Sequence, residues 1–145
     1  MSSVQQMLQA KKGKAYTIAP TATVFEALQL MADKDIGALI VTDKDKVVGI
    51  FSERDYARKV ALKGRESKKT TVRELMTRSV YYVTPAHSVE QCMGLMTEKH
   101  VRHLPVLDNG KLVGVISIGD VVKTIITDQK LLIEQLEDYI TGDYT

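Results

Sequence analysis

A chain of 145 residues, 44% hydrophobic and 26% charged with a formal net charge of +2, can bury a sizeable core and is too near neutral to be a disordered polyelectrolyte. No apolar run approaches the roughly 20 residues that cross a bilayer, and the opening Met1-Ser-Ser-Val-Gln-Gln-Met lacks the charged-then-apolar layout of a secretion signal. Cys92 is the single cysteine and cannot close an internal disulfide, so a cytoplasmic protein without a membrane partner is expected.

Residues 1–14 read as an N-terminal helical segment, ending in the cluster Lys11, Lys12 and Lys14. Residues 15–62 form a first unit with the order strand, helix, strand, strand, helix. After Pro20, Thr23-x-x-Glu26 is a capping box, and Val24, Ala27, Leu28 and Met31 follow at helical spacing. Ala38-Leu-Ile-Val-Thr42 and Val47-Val-Gly-Ile-Phe51 are β-rich runs joined by Asp43-Lys-Asp-Lys46, and a second helix begins near Asp55. Residues 63–79 are a polar linker followed by a short helix, Val72-Arg-Glu-Leu-Met76, which echoes Val4-Gln-Gln-Met-Leu8. The linker's Lys63, Arg65, Lys68 and Lys69 and the earlier lysines read as solvated loop charge. A helix that enters a nucleic-acid groove would carry a denser basic face, so no nucleic-acid partner is expected.

Residues 80–127 repeat residues 15–62 at a constant offset of 65 without gaps. Tyr16 falls on Tyr81, Pro20 on Pro85, Leu30-Met31 on Leu95-Met96, Val48-Gly49 on Val113-Gly114 and Asp55 on Asp120. Ser88-x-x-Gln91 repeats the capping box, and Asn109-Gly110 between the last two runs is a strong hairpin signal. Residues 128–145 are a C-terminal helix and tail, with Leu132, Leu136 and Ile140 at helical spacing. The expected fold is α+β: two units, each a small three-stranded sheet with two helices, packed through their sheets with pseudo-twofold symmetry. Either unit alone would bury too little surface to be comfortable.

No catalytic constellation emerges. Cys92 lies on the apolar stripe of a helix and reads as a small core residue. His100 and His103 lack the further ligands a metal would need. What recurs is Gly-h-h-Ser-x-x-Asp, with h apolar, as Gly49-Ile-Phe-Ser-Glu-Arg-Asp55 and Gly114-Val-Ile-Ser-Ile-Gly-Asp120. Ser-x-x-Asp at a strand-to-helix junction is a helix cap. It is also a place where free N–H groups meet phosphate and a carboxylate can accept ribose hydroxyls. Arg54 supplies a cation beside the first motif, and Arg102 and His103 stand just before a strand of the other unit.

The duplicated unit, with these motifs and the segments Asp35-Ile-Gly-Ala-Leu39 and His100-Val-Arg-His-Leu-Pro-Val106, resembles a tandem pair of CBS (cystathionine-β-synthase-type) domains. The resemblance covers about residues 4–127. It implies a free-standing, non-catalytic regulatory module that senses an adenosine ligand, forms a homodimer and relays its state to an unknown target protein. It also implies two clefts. Cleft A would combine Ile50, Ser52, Arg54 and Asp55 with Thr77, Val80, Tyr82, Val101, Arg102 and His103. Asp55 is expected on the ribose, Ser52 and Thr77 near sugar and phosphate, and Val80, Tyr82 and Val101 around adenine. Arg102 and His103 match phosphate-binding positions in the regulatory subunit of AMP-activated protein kinase.

Cleft B, expected to bind more weakly, would combine Val115, Ser117 and Asp120 with Ala15, Thr17, Ile36, Gly37 and Ala38. There Gly119 stands in place of Arg54, and Gly37-Ala38 in place of Arg102-His103, so phosphate donors are missing unless Lys12 or Lys14 reaches in. Cations favour a phosphate-bearing ligand over the sulfonium of S-adenosylmethionine. AMP or NAD(H) is therefore favoured, with ATP and ADP compatible. The alternative is a structural dimerisation module whose clefts stay empty and whose Ser-x-x-Asp motifs act only as caps.

Overall fold

The computed structural model of the chain describes residues 2–11 and 15–141, so Lys12, Lys14 and the last four residues lie outside the described residues. Helix α1 spans Val4–Ala10, opened by a capping box between Ser3 and Gln6. The first unit contains β1 (Thr17–Ile18), α2 (Val24–Lys34), β2 (Ala38–Asp43), β3 (Lys46–Ser52) and α3 (Glu53–Asp55). α3 widens without a break into a π-helical turn over Tyr56–Ala61. Helix α4 (Val72–Leu75) leads to the second unit, built from α5 (Val89–Lys99), β4 (His103–Asp108), β5 (Lys111–Ser117) and α6 (Ile118–Thr141).

Local chemistry repeats with the sequence. Thr23 and Ser88 cap α2 and α5 by accepting from the N–H groups of Glu26 and Gln91. Both helices end at left-handed residues, Asp35 (φ 53°) and His100 (φ 55°). The β4–β5 hairpin turns on Asn109 and Gly110, and the β2–β3 hairpin on Lys44 and Asp45, all with positive φ.

The sheets differ in one strand. In the first unit β1 runs parallel to β2, and β2 is antiparallel to β3. In the second only β4 and β5 form strands, and the expected first strand shrinks to a bridge between Val83 and Val106. A proline accounts for the loss. Ile40 donates its N–H to the Tyr16 carbonyl at 3.3 Å; the repeat-equivalent of Ile40 is Pro105, which has no N–H to offer Tyr81.

The two units exchange their leading helices. Val4 and Met7 of α1 are buried in the core of the second unit, with Val89, Cys92, Leu104 and Ile116. Val72, Leu75 and Met76, in and just after α4, are buried in the core of the first unit, with Val24, Leu39 and Phe51. Backbone bonds mirror the exchange: Val4 N–H donates to His87 at 2.8 Å and Val72 N–H to Ala22 at 2.8 Å. Gly114 gives Leu8 room just as Gly49 gives Met76 room. The pseudo-twofold relation thus extends through the helices that precede each repeat.

Helix α6 continues well past the second core, so the expected junction between residues 127 and 128 falls inside one helix. Val121 is its last fully buried residue, while Leu132, Ile133, Leu136 and Ile140 are exposed.

Candidate functional site

Ser52 and Asp55 sit where β3 passes into α3. Ser52 Oγ accepts from the Asp55 N–H at 3.2 Å, and Asp55 Oδ2 accepts from the Ser52 N–H at 3.0 Å and hydroxyl at 3.1 Å. The other carboxylate oxygen reaches across the repeat boundary: Oδ1 accepts from Thr77 Oγ1 at 3.0 Å and pairs with Lys59 Nζ at 3.0 Å. Asp55 is 9% exposed. Its donors fill the roughly four acceptor directions a carboxylate offers. Beside it Ile50 and Thr77 exchange both backbone hydrogen bonds, at 3.0 and 2.8 Å, which stitch β3 to the chain after α4.

This junction is one wall of a cavity of about 540 Å³ between the two units. Ile50, Ser52, Arg54 and Asp55 face it from the first unit, and Thr77, Val80, Val101, Arg102 and His103 face it from the other side. Of the residues expected in cleft A, only Tyr82 stands apart: it is 54% exposed, and Tyr81 takes the place on the wall. The signal for Tyr81 was its pairing with Tyr16 in the repeat. Arg58, Lys59, Ser79 and His100 also line the cavity and were missed. Arg58 and Lys59 each follow a recognised site residue by four positions, the spacing of one helical turn.

The electrostatics are mainly cationic. Arg54 Nη1 donates to the His100 carbonyl at 3.2 Å across the cleft mouth. Among the described residues none of Arg54, Arg58 and Arg102 forms an ion pair, against two wall carboxylates, Glu53 and Asp55. Burial pushes the His103 imidazole below its ordinary pKa, and Lys11 and Arg102 push it further down while Asp120 opposes them. A neutral imidazole can donate one hydrogen bond to phosphate or take up a proton when an anion arrives.

The residues of the expected second cleft do not gather in the same way. Gly37 lies on the cavity just described; a Cβ added there would stand 3.6 Å from His103 Nε2. Ile36 packs against the first core. Ala15 and Ala38 are half-buried and Thr17 is exposed on β1. Asp120 accepts from the Ser117 N–H at 2.8 Å and from Lys11 Nζ at 2.8 Å, and the same ammonium reaches the Val115 carbonyl at 2.9 Å. Lys11 therefore occupies the carboxylate and β5 edge that a second ligand would use. Burial would raise the Asp120 pKa, but the bonds from Lys11 and Ser117 outweigh it and hold the carboxyl below its usual range.

A carboxyl whose pKa is depressed by folding stabilises the fold above its unfolded value, near 3.9, and loses that contribution as pH falls through the folded value. Lys11→Gln should therefore cost less than about 1 kcal/mol at pH 7, since both partners are partly exposed. In urea titrations the advantage of wild type should shrink as pH falls, first because Lys11 opposes protonation of His103 and then as Asp120 takes up its proton. An advantage that does not change with pH would assign the effect of Lys11 to packing.

Elsewhere the chemistry is structural. Burial, with Glu90 nearby, pushes the Cys92 thiol up to about 11, far from a reactive thiolate. Among the described residues no cluster of His, Cys, Asp and Glu could hold a metal. No helix among them is long and apolar enough to cross a membrane.

The sequence model of the CBS domain matches residues 12–62 and again 72–127. The mitochondrial CBS domain-containing protein CBSX3 of Arabidopsis thaliana is 38% identical over 84% of this chain, which spans 62% of that protein's length. A solved CBS-domain protein from Burkholderia ambifaria is 55% identical, covers 88% of this chain and 96% of its own, and superposes with a TM-score of 0.85. The CBS domain pair of protein MJ0100, solved with 5′-methylthioadenosine and S-adenosyl-L-methionine, is 24% identical over 88% of this chain and 98% of its own. Its TM-score is 0.75.

Proposed function

Since the chain belongs to the CBS-domain family, a family of regulatory modules, we propose that it is a non-catalytic sensor that binds an adenine nucleotide between its two repeats. The observation that carries this reading is the cavity at Asp55, whose carboxylate touches side chains from both sides of the repeat boundary beneath three arginines that form no ion pair among the described residues. The adenosine ligands of the MJ0100 pair support a nucleoside site in this fold. Adenine would lie against Ile50, Val80 and Val101. The ribose hydroxyls would donate to Asp55 Oδ1 in place of Lys59 Nζ, and the released ammonium would join Arg54, Arg102 and His103 on phosphate. AMP or NAD(H) is favoured, ADP and ATP are compatible, and the cationic rim disfavours the sulfonium of S-adenosylmethionine.

The signal follows from position. A ligand that contacts both repeats shifts any equilibrium between two arrangements by its differential affinity for them, and a target protein reads the result. A thermal-shift panel of AMP, ADP, ATP, NAD⁺, NADH and S-adenosylmethionine tests the reading. Ligand at about 100 times its dissociation constant adds roughly 2.7 kcal/mol, several degrees for a domain of this size. A flat panel would favour the structural dimerisation module, in which Asp55 is a cap alone.

Both readings include a homodimer, for which α6 offers a surface. From Val122 onward the exposed residues Ile126, Ile133 and Ile140 fall on the a positions of a heptad and Val122, Gln129 and Leu136 on its d positions. β-Branched residues at a with leucine at d favour two-stranded pairing. A CBS-CP12 protein from bloom-forming cyanobacteria, 31% identical, is hexameric. Ile133→Glu with Leu136→Glu should convert a dimer to monomers in sedimentation equilibrium. Unchanged mass would place the interface elsewhere.

A further inference from the structure

The cavity at Asp55 does not end at its mouth. It opens into a second hollow of about 610 Å³, shallower and more exposed, that shares the walls Arg54, Arg58, His100 and Arg102 and adds Met96 and Thr97 from the last turns of α5. The inner cavity sets Glu53 and Asp55 against its cations, whereas no carboxylate lines the outer hollow. Three guanidinium groups thus share one concavity without an acidic partner among the described residues. Such an arrangement is self-repulsive until an anion fills it.

The donors are also free to act. Arg54 commits one N–H to the His100 carbonyl, which leaves most of its five. No hydrogen bond to protein engages Arg58 or Arg102 side chains among the described residues. Each planar fork can take two oxygens of one phosphate. Arg54, Arg58 and Arg102 line both hollows while His103 lines the inner one alone, so cations run on past the place of a first phosphate, with Arg58 one helical turn beyond Arg54. The second repeat has Gly119 and Lys123 at the equivalent positions, so the feature belongs to this cleft.

We propose that the outer hollow holds a second phosphate linked to the first, so that the site selects adenosine ligands with a pyrophosphate over AMP. This rests on the nucleotide reading above and revises its order of ligands, setting NAD(H), ADP and ATP above AMP. Titration calorimetry in EDTA with AMP, ADP, ATP, NADH and inorganic pyrophosphate, on wild type and Arg58→Gln, tests it. ADP should bind wild type at least tenfold more tightly than AMP, and that ratio should fall toward one in Arg58→Gln. A gain shared by NADH extends the site to an internal pyrophosphate, whereas a gain confined to NADH, with none for ADP, places the added contact on the nicotinamide half and overturns the proposal. If AMP binds and no pyrophosphate ligand binds more tightly, or if Arg58→Gln weakens all ligands alike, the proposal is overturned while the nucleotide reading stands. If no adenine ligand binds, that reading fails, and inorganic pyrophosphate decides the hollow: Arg58-dependent binding supports it and no binding overturns it. An unchanged thermal midpoint for Arg58→Gln, whose side chain is exposed, confirms an intact fold.

Discussion

Asp55→Ala is expected to lower nucleotide affinity by 100-fold or more and to cost about 1–2 kcal/mol of stability in the same protein. The stability cost follows from what the carboxylate already does. It closes the first turn of α3 against the Ser52 N–H and holds Thr77 and Lys59 from below the cavity floor. Alanine removes the acceptor and leaves the Thr77 hydroxyl to find another, while Lys59 loses its counter-charge and keeps its bond to the Leu75 carbonyl at 3.0 Å. The affinity cost has a separate origin, because a ribose diol needs a strong acceptor and Asp55 is the one buried carboxylate among the described residues. Asp55→Asn separates the two: the amide oxygen can still accept from Ser52, so most of the stability should return while affinity stays low. Asp120→Ala is the control, with a similar small loss of stability and a lesser effect on binding. If Asp55→Asn restored both properties together, or if Asp55→Ala changed stability alone, the carboxylate would be a cap and no more.

The parts of this architecture that were legible share one property: their cause is local. A left-handed turn at Asn109-Gly110, the caps at Thr23 and Ser88, and the apolar stripes of α2 and α5 are each decided within a few residues. The offset that aligns Asp55 with Asp120 then places the two motifs in equivalent settings. What escaped depends on contacts between distant segments. Nothing near Lys11 in the chain indicates that its ammonium will settle on Asp120. The Lys59 partner of Asp55 has Thr124 as its repeat-equivalent, so the two carboxylates recruit cations from different directions. The loss of a strand in the second unit was readable in principle, since Pro105 stands where an N–H is needed. The register that makes that N–H matter exists only once β1 and β2 are paired. The exchange of α1 and α4 between units likewise leaves no local trace beyond the echo of their sequences.

That exchange makes the two equivalent glycines unequal. Gly49→Ala is expected to destabilise the chain by about 1–3 kcal/mol, the usual cost of overpacking, and Gly114→Ala by less than about 1 kcal/mol. A Cβ on Gly49 would stand 2.5 Å from Met76 Sδ, 2.9 Å from Met76 Cγ and 3.1 Å from the carbonyl oxygen of Thr77. The thioether can swing aside; the carbonyl cannot, because it accepts from the Ile50 N–H at 3.0 Å in the bond that joins β3 to the far wall of the cleft. On Gly114 the three atoms nearest the same Cβ all belong to Leu8, the first Cδ2 at 2.5 Å, the end of a half-buried side chain that can change rotamer. Neither glycine has positive φ, so alanine also restricts the unfolded chain, an offset of about 0.4–1 kcal/mol that could leave Gly114→Ala near neutral. Combining Gly49→Ala with Met76→Ala in a double-mutant cycle apportions the clash. Full relief by Met76→Ala would lay it on the thioether, while a residual cost with weakened nucleotide binding would lay it on Thr77 and the cleft wall. Equal destabilisation by the two glycine substitutions would refute the asymmetry, and with it the argument that the Thr77 backbone is the rigid element of the site.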